Sequence, residues 1–319
     1  MSFSSTTKNE LARLPIENDC CALAELAAIV RISGVIQVNK MKKIRLKFVT
    51  ENAAIARRIF TLLKNIYDVN IEVMVRKNKQ LKKNNNYIIM VNSTDITKKI
   101  LGDVGFLDDE NNFFTVNYKT PERLIKNRCC RRAYIRGAFL GGGSISNPEK
   151  SYHLEFVTNN EEYSGELSSI INSFNLNSKT IERKENYVIY LKEGEQIVDI
   201  LNIIGAHQAL LKFEDIRVLK DVRNNINRLV NCETANLSKT INASLRQVNN
   251  IELIQEEVGI ENIPKNLQEV AYLRLNHRDA SLKELGKMLD PPLGKSGINH
   301  RFRKIEEIAD KIREKGRLE

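Results

Sequence analysis

From Lys43 to Phe48, apolar and polar residues alternate with a period of two. Ile44, Leu46 and Phe48 fall on one side, and Lys43, Arg45 and Lys47 on the other. This predicts a strand with one buried face and one open, basic face. A hairpin is expected from strands near Val35 to Val38 and Lys42 to Val49, with an Asn-Lys turn, and a second from Asn70 to Lys77 and Tyr87 to Asn92. Helical spacing predicts helices over Asn18 to Ser33 and Asn52 to Ile66, with a short helix closing the unit near Ile100.

The same order returns further along the chain. Cys20-Cys21 matches Cys129-Cys130, "LKFVTEN" (Leu46 to Asn52) matches "LEFVTNN" (Leu154 to Asn160), and "NYII" (Asn86 to Ile89) matches "NYVI" (Asn186 to Ile189). Ile100-Leu101 with Gly105 matches Ile200-Leu201 with Gly205. Four blocks in one order indicate a tandem duplication, the second copy having lost about eight residues. Its elements are expected at Arg128 to Gly142, Ser144 to Ser146, Tyr152 to Val157, Glu161 to Phe174, Ser178 to Arg183 and Tyr187 to Lys192. Each copy is αββαββα, and the fold class is α+β. Ala27, Ala28, Gly137, Ala138 and Gly141 leave the first helices nearly bare of side chains. The simplest arrangement pairs those helices about a pseudo-twofold axis; the alternative is an Ala-rich core helix in each of two separate domains. Gly34 and Gly143 are suitable glycines to end those helices.

After Gly205 the period becomes helical. Leu210, Leu211, Ile216 and Leu219 form an apolar stripe on a linker helix over 207 to 230. Further helices are expected at Glu233 to Gln255, Leu267 to Leu275, Ser281 to Leu289 and Ser296 to Arg313. Ser281 and Glu284 have capping-box spacing, "DPPLGK" breaks the chain, and Ser296 can cap the last helix. Ile298, Phe302, Ile305, Ala309 and Ile312 make the buried stripe of that helix. Its first turns carry Asn299, His300, Arg303 and Lys304, with Lys295 and Arg301 beside them and no acid from Lys295 to Lys304. A short capped helix, a turn and a basic helix form a helix-turn-helix suited to a DNA major groove. The expected domains are 1–127 and 128–206 (the repeats, the first with its connecting segment), 207–231 (a helical linker) and 232–319 (DNA binding).

Net charge is +10 over 319 residues, which favours an anionic partner, nucleic acid first and a membrane surface second; the helix-turn-helix makes double-stranded DNA the expected partner. The excess is uneven. Lys40 to Lys83 holds thirteen Lys or Arg and three acids, whereas Glu149 to Lys184 holds four and six. A secondary DNA surface is therefore expected on the first copy, at Lys43, Arg45, Lys47, Arg76 and Lys77, with a partnerless solvated face as the alternative. The N-terminus lacks the apolar region of a signal peptide, and no apolar run approaches a membrane span. Adjacent cysteines are poor disulfide partners, so a reduced, cytoplasmic protein is expected. Four thiols at symmetric positions could approach a Cys₄ metal site, but the cysteine pairs lack CxxC spacing, and neighbours on a helix point about 100° apart. One buried thiol per pair is expected, with no metal site and no cofactor. His153 and His207 have no triad around them.

The repeat resembles the LAGLIDADG homing endonuclease fold, its motif mapping onto "LAAIVRISG" (Leu26 to Gly34) and "IRGAFLGGG" (Ile135 to Gly143). Nucleases of that family carry a metal-binding acid just before the last glycine; here those positions are Ser33 and Gly142, which supply no anionic oxygen. Glu25 and Glu149, the nearest acids, lie off the position. The resemblance thus implies a fold without its catalysis. With "SLKELGKML...GKSGINHRFRKI" following, the whole chain resembles the bacterial WhiA family of DNA-binding regulators. "ENAAIARRIFTLLK", "NIIGAH" and "RLVNCETANLSKTI" extend the likeness. It implies a non-enzymatic, nucleoid-associated transcriptional regulator tied to sporulation, cell division or chromosome segregation. Another transcription factor or a division or segregation protein is the protein partner to test. Asn299, His300 and Arg303 are expected to meet bases; Lys283, Lys295, Arg301 and Lys304, phosphates; Ser296 completes the set. The alternatives are an endonuclease with relocated acids and a division scaffold using DNA only for localisation.

Overall fold

Each copy of the repeat runs helix, hairpin, helix, hairpin, helix. The computed structural model describes residues 2–39, 43–77, 85–108 and 115–315; the predicted turn at Lys40 and strand start at Lys42 lie outside them. A helix absent from the sequence-based expectation, α1 (Phe3–Leu11), comes first, with Ser2 capping it through the Ser5 amide. The first copy is α2 (Asp19–Ser33), β1 (Gly34–Val38), β2 (Ile44–Thr50), α3 (Ala53–Tyr67), β3 (Glu72–Lys77), β4 (Asn85–Val91) and α4 (Thr94–Asp103). A small hairpin, β5 (Leu107–Asp108) with β6 (Thr115–Val116), and the one-turn α5 (Glu122–Ile125) connect to the second copy. That copy is α6 (Arg128–Gly142), β7 (Gly143–Ile145), β8 (Leu154–Thr158), α7 (Glu161–Asn172), β9 (Lys179–Arg183), β10 (Asn186–Leu191) and α8 (Gly194–Ile204). The two antiparallel sheets share one order, β1-β2-β4-β3 and β7-β8-β10-β9.

Matching sequence blocks do matching jobs. Asn52 and Asn160 cap α3 and α7, their side-chain oxygens accepting first-turn amides at 2.8 Å. Gly105 and Gly205 take φ of +66° and +92° after α4 and α8, and the next amide donates to the Leu101 or Leu201 carbonyl, 2.8 Å in each case. Such a left-handed close suits glycine.

The small residues of α2 and α6 meet as the paired arrangement predicts. A Cβ on Gly137 would sit 2.2 Å from the Glu25 carbonyl oxygen, and one on Gly142 would sit 2.6 Å from Ile32 Cγ2. Both copies consequently share one core, from Leu26 and Ala27 across to Ile135 and Ala138. Gly34 and Gly143 end α2 and α6 as expected, without a left-handed turn. Both are extended, with φ of −73° and −79°. They are needed for space, because a Cβ would lie 2.5 Å from the Val30 oxygen or 2.4 Å from the Phe139 ring.

The chain divides into two compact units, 1–221 and 222–319. The division falls within α9 (His207–Glu257), which is continuous where a linker and a separate helix were expected. Its first turns bury Ala209 and Phe213, while Leu211 and Leu219 of the predicted stripe are exposed. The second unit continues through a 3-10 turn (Ile260–Asn262) to α10 (Lys265–Asn276), α11 (Leu282–Lys287) and α12 (Lys295–Lys315). Its own core joins Ile251 and Ile254 to Leu267, Val270, Leu285, Ile298 and Phe302. No helix among the described residues is long and apolar enough to cross a membrane.

Candidate nucleic-acid interface

Local sequence fixes α11 at both ends. Ser281 Oγ accepts the Glu284 amide at 3.3 Å, and Glu284 Oε2 accepts the Ser281 amide at 2.7 Å, completing a capping box. At the other end the Leu293 amide donates to the Gly286 carbonyl at 2.8 Å. A Cβ on Gly286 would stand 2.1 Å from the Leu293 oxygen, so this glycine lets the turn close on its own helix. Buried Arg274 ties α10 to the same region. Its guanidinium donates to the carbonyls of His277, Arg278 and Ala280 at 3.3, 3.1 and 2.7 Å, and lies 5.4 Å over the Phe302 ring. Burial lowers its pKa from the ordinary guanidinium value.

Helix α12 has two chemically opposite faces. Ile298, Phe302, Ile305 and Ala309 are buried; Asn299, His300, Arg303 and Lys304 are exposed. Lys295 opens the helix, so Ser296 is exposed within its first turn and is not the cap. Arg301 is turned onto α10, donating to the Asn266 carbonyl at 2.9 Å with Glu269 at 3.6 Å. Two grooves flank the exposed face. One is lined by Lys283 and Lys295 together with Lys239 of α9, the other by Asn299 and Arg303 together with Arg246 and Gln247. The α9 residues are absent from the sequence-based set, because only the packing of α9 on this unit brings them there.

The sheet of the first copy buries Ile44, Leu46 and Phe48 as the alternation predicts, with Lys43 and Arg45 exposed and Lys47 half-buried. Pairing places Lys47 opposite Val35 and Met90, Arg45 opposite Gln37, and Arg76 opposite Asn86, so Arg45, Lys47 and Arg76 share the open face. Lys77, one residue on, belongs to the other face. In the second copy the corresponding face carries Glu155, which accepts from Ser144 Oγ at 3.0 Å and pairs with His153 at 3.1 Å. His153 stacks on Tyr190.

At the end of the helix pair, Ser33 Oγ donates to the Ile29 carbonyl at 2.9 Å, and Gly142 packs on Ile32 and Val157. Glu25 is buried at the helix interface, between Arg58 (2.7 and 2.8 Å) and Arg136 (2.9 Å). Its carboxylate is thus fully engaged within the protein. Glu149 accepts from Asn147 on a surface turn. Among the described residues, the one group of three or more metal-ligating side chains is Cys20, Cys21, Cys129 and Cys130. One thiol of each pair is buried and one exposed, as expected. Their sulfur atoms all lie within 4.8 Å of one another.

Two tandem LAGLIDADG-like repeats joined to a C-terminal helix-turn-helix unit define the class of the molecule. Three family models match it in order: the WhiA N-terminal LAGLIDADG-like domain over residues 19–107, the WhiA LAGLIDADG-like domain over 131–223 and the WhiA C-terminal HTH domain over 226–309. The chain belongs to the WhiA family. It is 56% identical over 315 residues to the probable cell division protein WhiA of Alkaliphilus metalliredigens, covering 99% of each chain. Identity is also 56% to the protein of that name in Clostridium botulinum strain Hall, over 98% of this chain and 99% of that one. The crystal structure of full-length DUF199/WhiA from Thermatoga maritima matches with a TM-score of 0.59 at 28% identity, over 98% and 99% of the two chains.

Proposed function

We propose that the protein is a sequence-specific regulator that binds double-stranded DNA and does not cut it. The exposed face of α12, whose Asn299, His300, Arg303 and Lys304 stand over a fully apolar buried face, carries this reading. A helix of that kind enters a major groove with its N-terminal half on base edges. Asn299, His300 and Arg303 read bases. Lys283, Lys295 and Lys304 hold phosphates, with Lys239 of α9 added to them, and Ser296 lies at the helix entry. Arg301 serves the interface indirectly by fixing α12 on α10. Arg45, Lys47 and Arg76 on the first repeat give a second, sequence-independent contact. Ser33 and Gly142 offer no carboxylate where nucleases of this fold hold metal, which supports binding without cleavage.

The relatives are named as cell division proteins, and we infer that this chain acts on genes of division, sporulation or chromosome segregation while associated with the nucleoid. A genome-wide map of bound sites, combined with transcript changes on deletion, tests this. Discrete sites beside genes whose expression changes are expected. Diffuse occupancy with unaltered transcripts would favour a division scaffold.

A further inference from the structure

The N-termini of α2 and α6 bring four thiols to one point. Cys20 and Cys21 are the second and third residues of α2, and Cys129 and Cys130 the second and third of α6. All four sulfurs lie within 4.8 Å of one another. Cys129 and Cys130 are 4.0 Å apart. A tetrahedral ion with metal–sulfur bonds of about 2.3 Å needs sulfur–sulfur edges of about 3.8 Å. The observed 4.8 Å limit exceeds that edge by about 1 Å. Cys20 and Cys129 are exposed, so an ion has a path in, while Cys21 and Cys130 are buried.

Electrostatics at this point favour sulfur anions. Two helix N-termini converge on the cluster, each a partial positive charge. Asn18 and Asn127 make no side-chain cap bond to the first turns. Arg132 and Arg136 line the adjoining cleft with Cys21 and Cys129. A cation bound here would displace the thiol protons.

We propose that Cys20, Cys21, Cys129 and Cys130 form a tetrathiolate site for one soft divalent cation, zinc or ferrous iron, bridging the two repeats. Four thiolates in tetrahedral reach select such ions over magnesium or calcium, which require oxygen. The site lies about 20 Å along the helix pair from Ser33 and Gly142, so it joins the copies and stands apart from the position where the nuclease acids would be. Ion loading stabilises the repeat domain by linkage, because only the folded pair assembles all four ligands.

Cobalt(II) titration of the reduced, metal-free full-length protein under anaerobic conditions decides the matter. One equivalent should give sulfur-to-cobalt charge transfer and the ligand-field absorption of a tetrahedral site, both displaced by zinc. Cys20→Ser with Cys129→Ser, at exposed positions, should abolish both signals while circular dichroism stays native; Cys232→Ser should leave them intact. A cobalt spectrum without sulfur charge transfer, or one unchanged in the double variant, overturns the site. Rapid disulfide formation within the cluster that prevents cobalt uptake even under reductant likewise overturns it. Elemental analysis of protein isolated anaerobically separates zinc from iron, and chelation should lower the unfolding temperature of the wild type but not of the double variant.

Discussion

Arg303 and Lys304 are neighbours on α12 but make different demands on DNA. Arg303 lies one turn from Asn299, so the two project from one face. A guanidinium reading a guanine edge contributes discrimination, whereas an ammonium on a phosphate contributes uniform affinity. Arg303→Ala should cost about 1–3 kcal/mol on the preferred site and far less on scrambled duplexes. Lys304→Ala should weaken both together and flatten the salt dependence. Titrations of both variants at two salt concentrations, with the fold checked by circular dichroism, distinguish these patterns. Equal losses on both duplexes for Arg303→Ala would make it a phosphate contact. Alternation and helical spacing made these side chains legible, since each depends on one element alone. Arg301 and Arg274 were not legible in the same way: where they point depends on α10, which spacing within α12 cannot specify.

At the scale of elements, the pairing of α2 with α6 rests on absent side chains. Alanine ordinarily stabilises a helix interior relative to glycine by about 0.5–1 kcal/mol. A methyl group added at Gly165 on α7 would find nothing within 4 Å, and Gly165→Ala should raise stability by that amount. Gly137→Ala should reverse the sign, costing about 1–3 kcal/mol, because the obstacle is the Glu25 backbone. Denaturant unfolding of the two variants tests the pairing; stabilisation by both would contradict it. The duplicated blocks made the αββαββα order readable. They could not reveal α1, a polar helix that buries only Thr7 and Leu11, nor the continuity of α9, which the change in composition obscured although no Gly or Pro interrupts it. The cysteine cluster needed both legible facts at once, equal positions in the copies and paired first helices, before four scattered thiols became one group.

The whole molecule joins an asymmetric repeat to a helix-turn-helix unit. Arg45, Lys47 and Arg76 give the first sheet a basic open face, while the second carries Glu155 bonded to Ser144 and His153. The resulting division of labour assigns sequence reading to α12 and general backbone affinity to the first repeat. Selection of duplexes from a random library by the full-length protein, in magnesium buffer, tests that account most directly. It predicts uncut duplexes sharing one motif, the same motif with Arg45→Glu and Lys47→Glu introduced together, and loss or relaxation of the motif with Asn299→Ala and Arg303→Ala. An unaltered motif after the α12 substitutions, or recovered duplexes cut at the motif, would contradict it.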